Sequence, residues 1–249
     1  MKASVVIPVR LESSRLPNKA LKIIEGIPLI CHVYERCKLA NSIEAVYIAT
    51  DSIEVRDLME SVGAKVIMTS QTHSCGTDRV AEAAEHIKSD IIINVQGDEA
   101  LVFPEHVDTA AKLLINSNKC NVGMLVNKFY KKNSLSDIKV VFNKNKEVMY
   151  LSRNDIPSFA RSKFTEMYKA YHVIPFRKTF LKKYVSLPPS KLENIEFNEY
   201  LRILDNGYKI KIEEVSSSAV SVDTNSDLAY VRKAMKSDRY LKQYSHFYL

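Results

Sequence analysis

The stretch Ile91-Ile92-Ile93-Asn94-Val95-Gln96-Gly97-Asp98-Glu99 decides the fold. Its first five residues are almost wholly apolar. A strand that reads this way is covered on both faces, as in a parallel sheet packed between helices. It ends on Gln96 and Gly97, and two acids follow. The carboxyl edge of such a strand is where ligands bind in open α/β sheets.

The pattern repeats on both sides. Residues 5–9, 45–50 and 65–68 are short strand-like runs. Between them, residues 28–39 carry Leu29, Ile30, Val33, Tyr34 and Cys37 at helical spacing, and 53–62 read as a second helix. Residues 78–87 place Val80, Ala81, Ala84 and Ile87 on one helical face. Further on, Pro104 opens a helix through Leu114, and 122–126 return as a strand. This alternation predicts an α/β fold with a parallel, doubly wound sheet.

The second half is less regular. Residues 139–142 and 148–151 flank a polar turn at 143–147 and predict a hairpin. Residues 170–176 are expected as one strand. Residues 192–204 are expected as one helix, closed by Asn206-Gly207. Residues 208–215 and 219–222 read as strands, and 226–235 as a helix. There is no repeat, long linker or low-complexity segment. The expectation is a single domain over 1–249 with a β-rich excursion around 125–180.

Bulk properties narrow the function classes. Of 249 residues, 46% are hydrophobic and 26% charged, enough for a core without disulfide or metal staples. There are 36 Lys+Arg against 29 Asp+Glu, a formal charge of +7. A basic surface fits nucleic acid, an anionic membrane or a polyanionic small substrate. The excess is modest, and runs such as Lys128-Phe129-Tyr130-Lys131-Lys132 read as solvated faces. Cys31, Cys37, Cys75 and Cys120 form no C-x-x-C pair, which argues against a zinc ribbon or thioredoxin-like site. Scattered free cysteines point to a reducing compartment. The first apolar run is too short for a signal peptide, and no stretch approaches a membrane span. A soluble, cytoplasmic protein is expected, with no membrane partner. Neither H-E-x-x-H nor G-x-S-x-G occurs, so hydrolase readings are weak.

Four places carry candidate chemistry. The first strand runs into a polar loop with Arg10, Arg15 and Lys19, and Ser13 and Ser14 between them. Three cations at the carboxyl edge of a strand suit a triphosphate: arginine grips phosphate in a bidentate way, and lysine supplies a compact charge. The loop has no glycine and no G-K-[ST] ending, so it is not a Walker loop. Asp98 is placed to hold Mg²⁺, which takes a few carboxylates beside substrate phosphates and water. Gly97 is expected to let the backbone approach a ligand. Asp223 could share that metal, although Asp223-Thr224-Asn225 also reads as a helix start. His73-Ser74-Cys75-Gly76-Thr77-Asp78-Arg79 precedes a helix, where backbone N–H groups could bind a base edge or anion, or simply be capped.

Taken together, these residues carry a resemblance. The pieces are Ile7-Pro8-Val9-Arg10 with Ser14-Arg15-Leu16-Pro17-Asn18-Lys19, Ala49-Thr50-Asp51, Gly76-Thr77-Asp78-Arg79, Asn94 to Glu99, Ser152-Arg153 with Ile156-Pro157, and Val222-Asp223-Thr224. In order and spacing the chain resembles the CMP-Kdo synthetases (3-deoxy-manno-octulosonate cytidylyltransferases) over nearly its whole length. The resemblance implies a Rossmann-like nucleotidyltransferase fold with a β-rich dimerisation excursion, a homodimer, and a place in lipopolysaccharide biosynthesis. It implies that Arg10, Arg15 and Lys19 face the CTP phosphates, with Cys75, Gly76 and Asp98 also at the nucleotide. Asp98 and Asp223 would hold Mg²⁺. Gln96, Arg153 and Glu199 would meet an acidic acceptor, Kdo or a Kdo-like 3-deoxy-ulosonate. Lys19, Arg15, Asp98 and Asp223 would carry catalysis, the acceptor hydroxyl attacking the α-phosphate in line and expelling pyrophosphate.

The sequence departs from that family at several points. Asn18 and Ala20 stand in the first loop, and Cys75 replaces a serine. In Lys169-Ala170-Tyr171-His172-Val173-Ile174-Pro175-Phe176, the family's sugar-facing His and Tyr fall at Ala170 and Ile174. In Asn198-Glu199-Tyr200-Leu201-Arg202, Glu199 survives and the family's glutamine does not. The nucleotide half is retained and the acceptor half altered. Other readings are a cytidylyltransferase for another acid such as a phosphonate, a sugar-phosphate nucleotidyltransferase, and a non-catalytic nucleotide or nucleic-acid binding protein. The last predicts salt-dependent polynucleotide binding. Lys19, Asp98 and Asp223 argue against it, so nucleic acid is not an expected partner.

Overall fold

The computed structural model describes residues 1–12, 15–73, 75–117, 120–161 and 166–248; Ser13, Ser14 and Ser74 of the motifs above lie outside them. The strands are β1 (Ala3–Val9), β2 (Ile23–Ile24), β3 (Ile27–Pro28), β4 (Ala45–Thr50), β5 (Lys65–Met68), β6 (Ile91–Val95), β7 (Val122–Phe129), β8 (Lys139–Phe142), β9 (Val148–Ser152), β10 (Met167–Tyr171), β11 (Val173–Arg177) and β12 (Ile210–Glu214). The helices are α1 (Leu29–Lys38), α2 (Ile53–Ser61), α3 (Gly76–Glu85), α4 (Pro104–Ile115), α5 (Lys178–Ser186), α6 (Lys191–Glu196), α7 (Leu201–Asp205), α8 (Asn225–Met235) and α9 (Leu241–Tyr244).

Apart from the small β2–β3 ribbon, the strands form one sheet, in the order β5-β4-β1-β6-β11-β7-β10-β8-β9, with β12 beside β7. β5, β4, β1 and β6 are parallel. β1 and β6 are buried along their whole length, as their apolar runs require. Their side chains alternate between two cores. Val5, Ile7, Val9, Ile91, Ile93 and Val95 join one, and Val6 and Ile92 the other. Each face is a separate hydrophobic layer, which is what doubly wound means physically. From β1 the chain moves outward to β4 and β5, then returns to place β6 on the other side. The gap beyond the ends of β1 and β6 is therefore a topological switch point.

Strands 122–177 extend the sheet in antiparallel fashion. The expected hairpin forms between β8 and β9. The stretch 170–176, expected as one strand, is two. One edge of β10 and β11 follows β7 throughout. The opposite edge pairs with β6 along β11, then with β8 along β10. The change of neighbour falls at His172, and the sheet forks there.

Two further expectations are corrected. Residues 192–204 are two short helices, because Phe197 takes a left-handed conformation (φ 47°) that ends α6. Arg153 closes that end, its Nε donating to the Glu196 carbonyl at 2.8 Å and an Nη to that of Phe197 at 3.1 Å. Residues 219–222 are not a strand. They are tied to the β6 loop by Val222 N–H, which donates to the Asp98 carbonyl at 3.0 Å, and by the Ser221 hydroxyl, which donates to Glu99.

Candidate active site

A crevice of about 820 Å³ opens at the switch point. Arg10, Arg15, Lys19, Cys75, Gly76, Gln96, Asp98, Arg153, Glu199 and Asp223 all line it. Elements far apart in sequence deliver them: the loop after β1, the N-terminus of α3, the loop after β6, the end of β9, the α6–α7 turn and the start of α8.

At one pole, Lys19 lies between two acids. Its ammonium pairs with Asp98, and with Oδ1 of Asp223 at 3.0 Å. Arg15 reaches Oδ2 of Asp223, also at 3.0 Å. Burial weakens the lysine ammonium, but the Asp98 and Asp223 carboxylates outweigh it and hold its pKa above the usual value. Burial likewise opposes ionisation of Asp223, but Lys19 and then Arg15 keep its pKa below normal. Arg10 is exposed on the rim and makes no ion pair among the described residues.

The helix-start reading of Asp223-Thr224-Asn225 holds, and it leaves Asp223 facing the crevice. Thr224 is the N-cap of α8, with a capping box to Asp227. Asp227 Oδ2 also accepts from the Asp223 N–H at 3.1 Å. The cap therefore fixes the backbone that presents Asp223 to the crevice.

Gly97 lines the crevice and is also pressed against the end of β1. A Cβ there would lie 2.9 Å from the Pro8 carbonyl oxygen and 3.2 Å from Val9 Cγ2. The missing side chain lets the β6 loop press on the end of β1, and this sets where Asp98 emerges.

At α3, Cys75 is the N-cap residue without a side-chain cap. Thr77 N–H donates to Oε2 of Glu199 at 3.2 Å, so Glu199 satisfies the helix start from across the crevice. Burial raises the Glu199 pKa, against hydrogen bonds from Cys75 and Thr77. Gln96 donates to Asn94 Oδ1 at 3.2 Å and packs against Gly76. Arg79 ties two motifs together, reaching Asp51 at 2.8 Å and Thr69 at 2.6 Å.

The opposite pole is built by the antiparallel strands. Lys169 pairs with Asp137 at 2.9 Å. Lys139, wholly buried, donates to the carbonyls of Ser134, Asp137 and Arg153 and so fastens this wall. Besides its two bonds to the end of α6, Arg153 spends a third donor on the Leu135 carbonyl at 2.9 Å. Ala170 lines the crevice, whereas Ile174 is buried in the core. Sequence reasoning did not single out Asp137, Glu99 or His172. Glu99 is 1% exposed, and burial, then the Asp98 charge, push its pKa up to about 7. Its place next to Asp98 was visible, but its burial was not.

A basic clamp, two converging acids and a switch-point crevice define a Rossmann-like nucleotidyltransferase. The sequence profile of the cytidylyltransferase family matches residues 4–212, and the chain belongs to that family. It is 41% identical over 242 residues to the 3-deoxy-manno-octulosonate cytidylyltransferase of Francisella tularensis subsp. holarctica (strain FTNF002-00 / FTA), covering 92% of this chain and 96% of that one. The enzyme of the same name from Thermodesulfovibrio yellowstonii is 39% identical over 250 residues, covering 93% and 97%. Among solved structures, CMP:2-keto-3-deoxy-manno-octonic acid synthetase complexed with CTP superposes with a TM-score of 0.91 at 35% identity, covering 95% of this chain and 99% of that one. A cytidylyltransferase from Leptospira borgpetersenii shares the fold, with a TM-score of 0.66 at 16% identity over 99% of this chain and 96% of that one.

Proposed function

We propose that the chain transfers CMP from CTP to 3-deoxy-manno-octulosonate, or a closely similar 3-deoxy-ulosonate, and releases pyrophosphate. One observation carries this reading: Asp98 and Asp223 converge on Lys19 in the crevice that Arg10 and Arg15 also line. The relatives' names supply the nucleotide and the acceptor.

The donor set fits Mg²⁺. Asp98 and Asp223 supply two hard carboxylates that converge on Lys19, and phosphates and water would complete the shell. Bound by Asp98 and Asp223, the ion would neutralise charge on the triphosphate. With CTP present, Lys19 and Arg15 turn from the acids to phosphate oxygens, and Arg10 joins them from the rim. Gln96, Arg153 and Glu199 hold the acceptor, and Cys75 and Gly76 flank the nucleotide. The acceptor hydroxyl attacks the α-phosphorus, the bond to the β-phosphate oxygen breaks, and pyrophosphate leaves. Positioning and preorganised charge supply most of the acceleration.

No helix among the described residues is long and apolar enough to cross a membrane. We place the enzyme in the cytoplasm, where CTP is made. The whole chain acts as one nucleotidyltransferase domain, and the strands around 125–180 meet a second copy in a homodimer. Pyrophosphate release with each of the four NTPs, with and without Kdo, tests the reading. It predicts turnover with CTP and Kdo that chelation abolishes and Mg²⁺ restores. Turnover only with a sugar phosphate, or none, refutes it. Light scattering tests the dimer.

A further inference from the structure

His172 stands between the two poles of the crevice, with the charges of Asp98 and Asp223 acting on it from one and those of Lys169 and Arg153 from the other. His172 lies at the fork, where the β10–β11 run exchanges β6 for β8 as its neighbour. Val173 is still paired with Val95, the last residue of β6, so His172 stands beside the exit of the Asp98 loop. On its other side β10 leads back to Lys169, the cation of the far pole. The His172 side chain lines the crevice and is 32% exposed.

The imidazole has a carboxylate behind it. Nδ1 lies 3.8 Å from Oε1 of Glu99. Glu99 is itself fixed: Ser221 donates to the same oxygen at 2.5 Å, while Oε2 is buried without a partner. At 3.8 Å the pair is electrostatic, not a hydrogen bond, and the attraction favours Nδ1 towards Glu99 and Nε2 towards the crevice. His172 thus sits on a structured base, not on a mobile loop.

We propose that His172 is an acceptor-reading residue, hydrogen-bonding a hydroxyl of the sugar acid close to the group that attacks, with Glu99 orienting the ring. This rests on the proposed cytidylyl transfer. An acceptor held by Arg153, as proposed above, that attacks a phosphate held at Lys19 must pass His172, which lies between them. With Nδ1 turned to Glu99, Nε2 of a neutral imidazole is left to accept a hydrogen bond from a hydroxyl of a polyhydroxy acid. Glu99 acts through His172 and is a positioning residue.

The test is steady-state kinetics with CTP, Kdo and Mg²⁺ on wild type, His172→Ala, His172→Gln and Glu99→Gln. His172→Ala raises the KM for Kdo about tenfold, the scale of one lost polar contact, and leaves the KM for CTP within about twofold. His172→Gln keeps a polar terminus and recovers part of the loss. Glu99→Gln moves the KM for Kdo in the same direction by a smaller factor. CTP binding by calorimetry shows that each variant is folded. An unchanged KM for Kdo in His172→Ala, or an equal rise for CTP, overturns the inference while the proposed function stands. A wild type inactive with CTP and Kdo overturns both.

Discussion

The ammonium of Lys19 lies 3.0 Å from Oδ1 of Asp223, a residue 204 positions further along the chain. The same ammonium pairs with Asp98. Without ligand Lys19 and Arg15 together balance the two acids, and neither carboxylate is left as an isolated, half-buried charge. On the proposed function, a triphosphate and a cation would offer each of these groups a new partner.

Removing the lysine should affect chemistry more than stability. Lys19→Ala is expected to lower kcat by about 10²–10³, the usual loss for one preorganised charge contact in the transition state. Single-turnover pyrophosphate release measures it. A fall in kcat below about threefold would place Lys19 outside the reacting centre.

Asp98→Asn is expected to abolish turnover and weaken the response to Mg²⁺, with an unchanged circular dichroism spectrum. The amide keeps the shape of the side chain but loses the charge a hard cation needs. Near-normal turnover would remove Asp98 from the metal site.

Thr224 links a helix cap to that site. Thr224→Ala removes the capping box of α8 and should cost about 1 kcal/mol in urea unfolding. Because Asp227 Oδ2 also holds the Asp223 N–H, the Mg²⁺ concentration for half-maximal activity should rise as well. Thr224→Ser preserves the cap and should change neither.

Gly97→Ala places a methyl group 2.9 Å from the Pro8 carbonyl oxygen. Backbone cannot swing away as a side-chain tip can, so the β6 loop must lift. A loss of about 1–3 kcal/mol is expected, with a fall in kcat as Asp98 shifts. Equilibrium unfolding and kinetics on one sample check both.

His32 predicts acid sensitivity. It is fully buried, with Nε2 2.9 Å from the Ile24 carbonyl and Nδ1 2.7 Å from the Tyr244 hydroxyl. A carbonyl only accepts, so Nε2 carries the proton and Nδ1 accepts from the tyrosine. Burial, reinforced by Arg36, pulls its pKa down to about 4 from 6.5, against the carbonyl hydrogen bond. The unfolded chain binds a proton near the higher value and the folded protein only near the lower. Stability from this group is complete above pH 6.5 and is lost as pH falls towards 4, by on the order of 3 kcal/mol. Urea midpoints at pH 7.5 and 4.5 should fall further for wild type than for His32→Gln; parallel falls would count against it.

The parallel half of the sheet, and the strand ends that border the crevice, could be read from the chain before any tertiary contact was known. β1 and β6 are buried on both faces, so their apolar runs had to be continuous. The basic loop after β1 and the acid after β6 were legible because each directly follows a recognisable strand. Thr224 announced itself as a cap through its spacing to Asp227. The rest followed from contacts between distant segments. The fork at His172 depends on β6 ending where β8 begins, and the break at Phe197 is closed by Arg153 from another element. Gly97 answers to Pro8, and the burial of Glu99 to its packing under the crevice. Local periodicity records what a residue buries. It carries no record of which distant residue comes to meet it, and the crevice consists of such meetings.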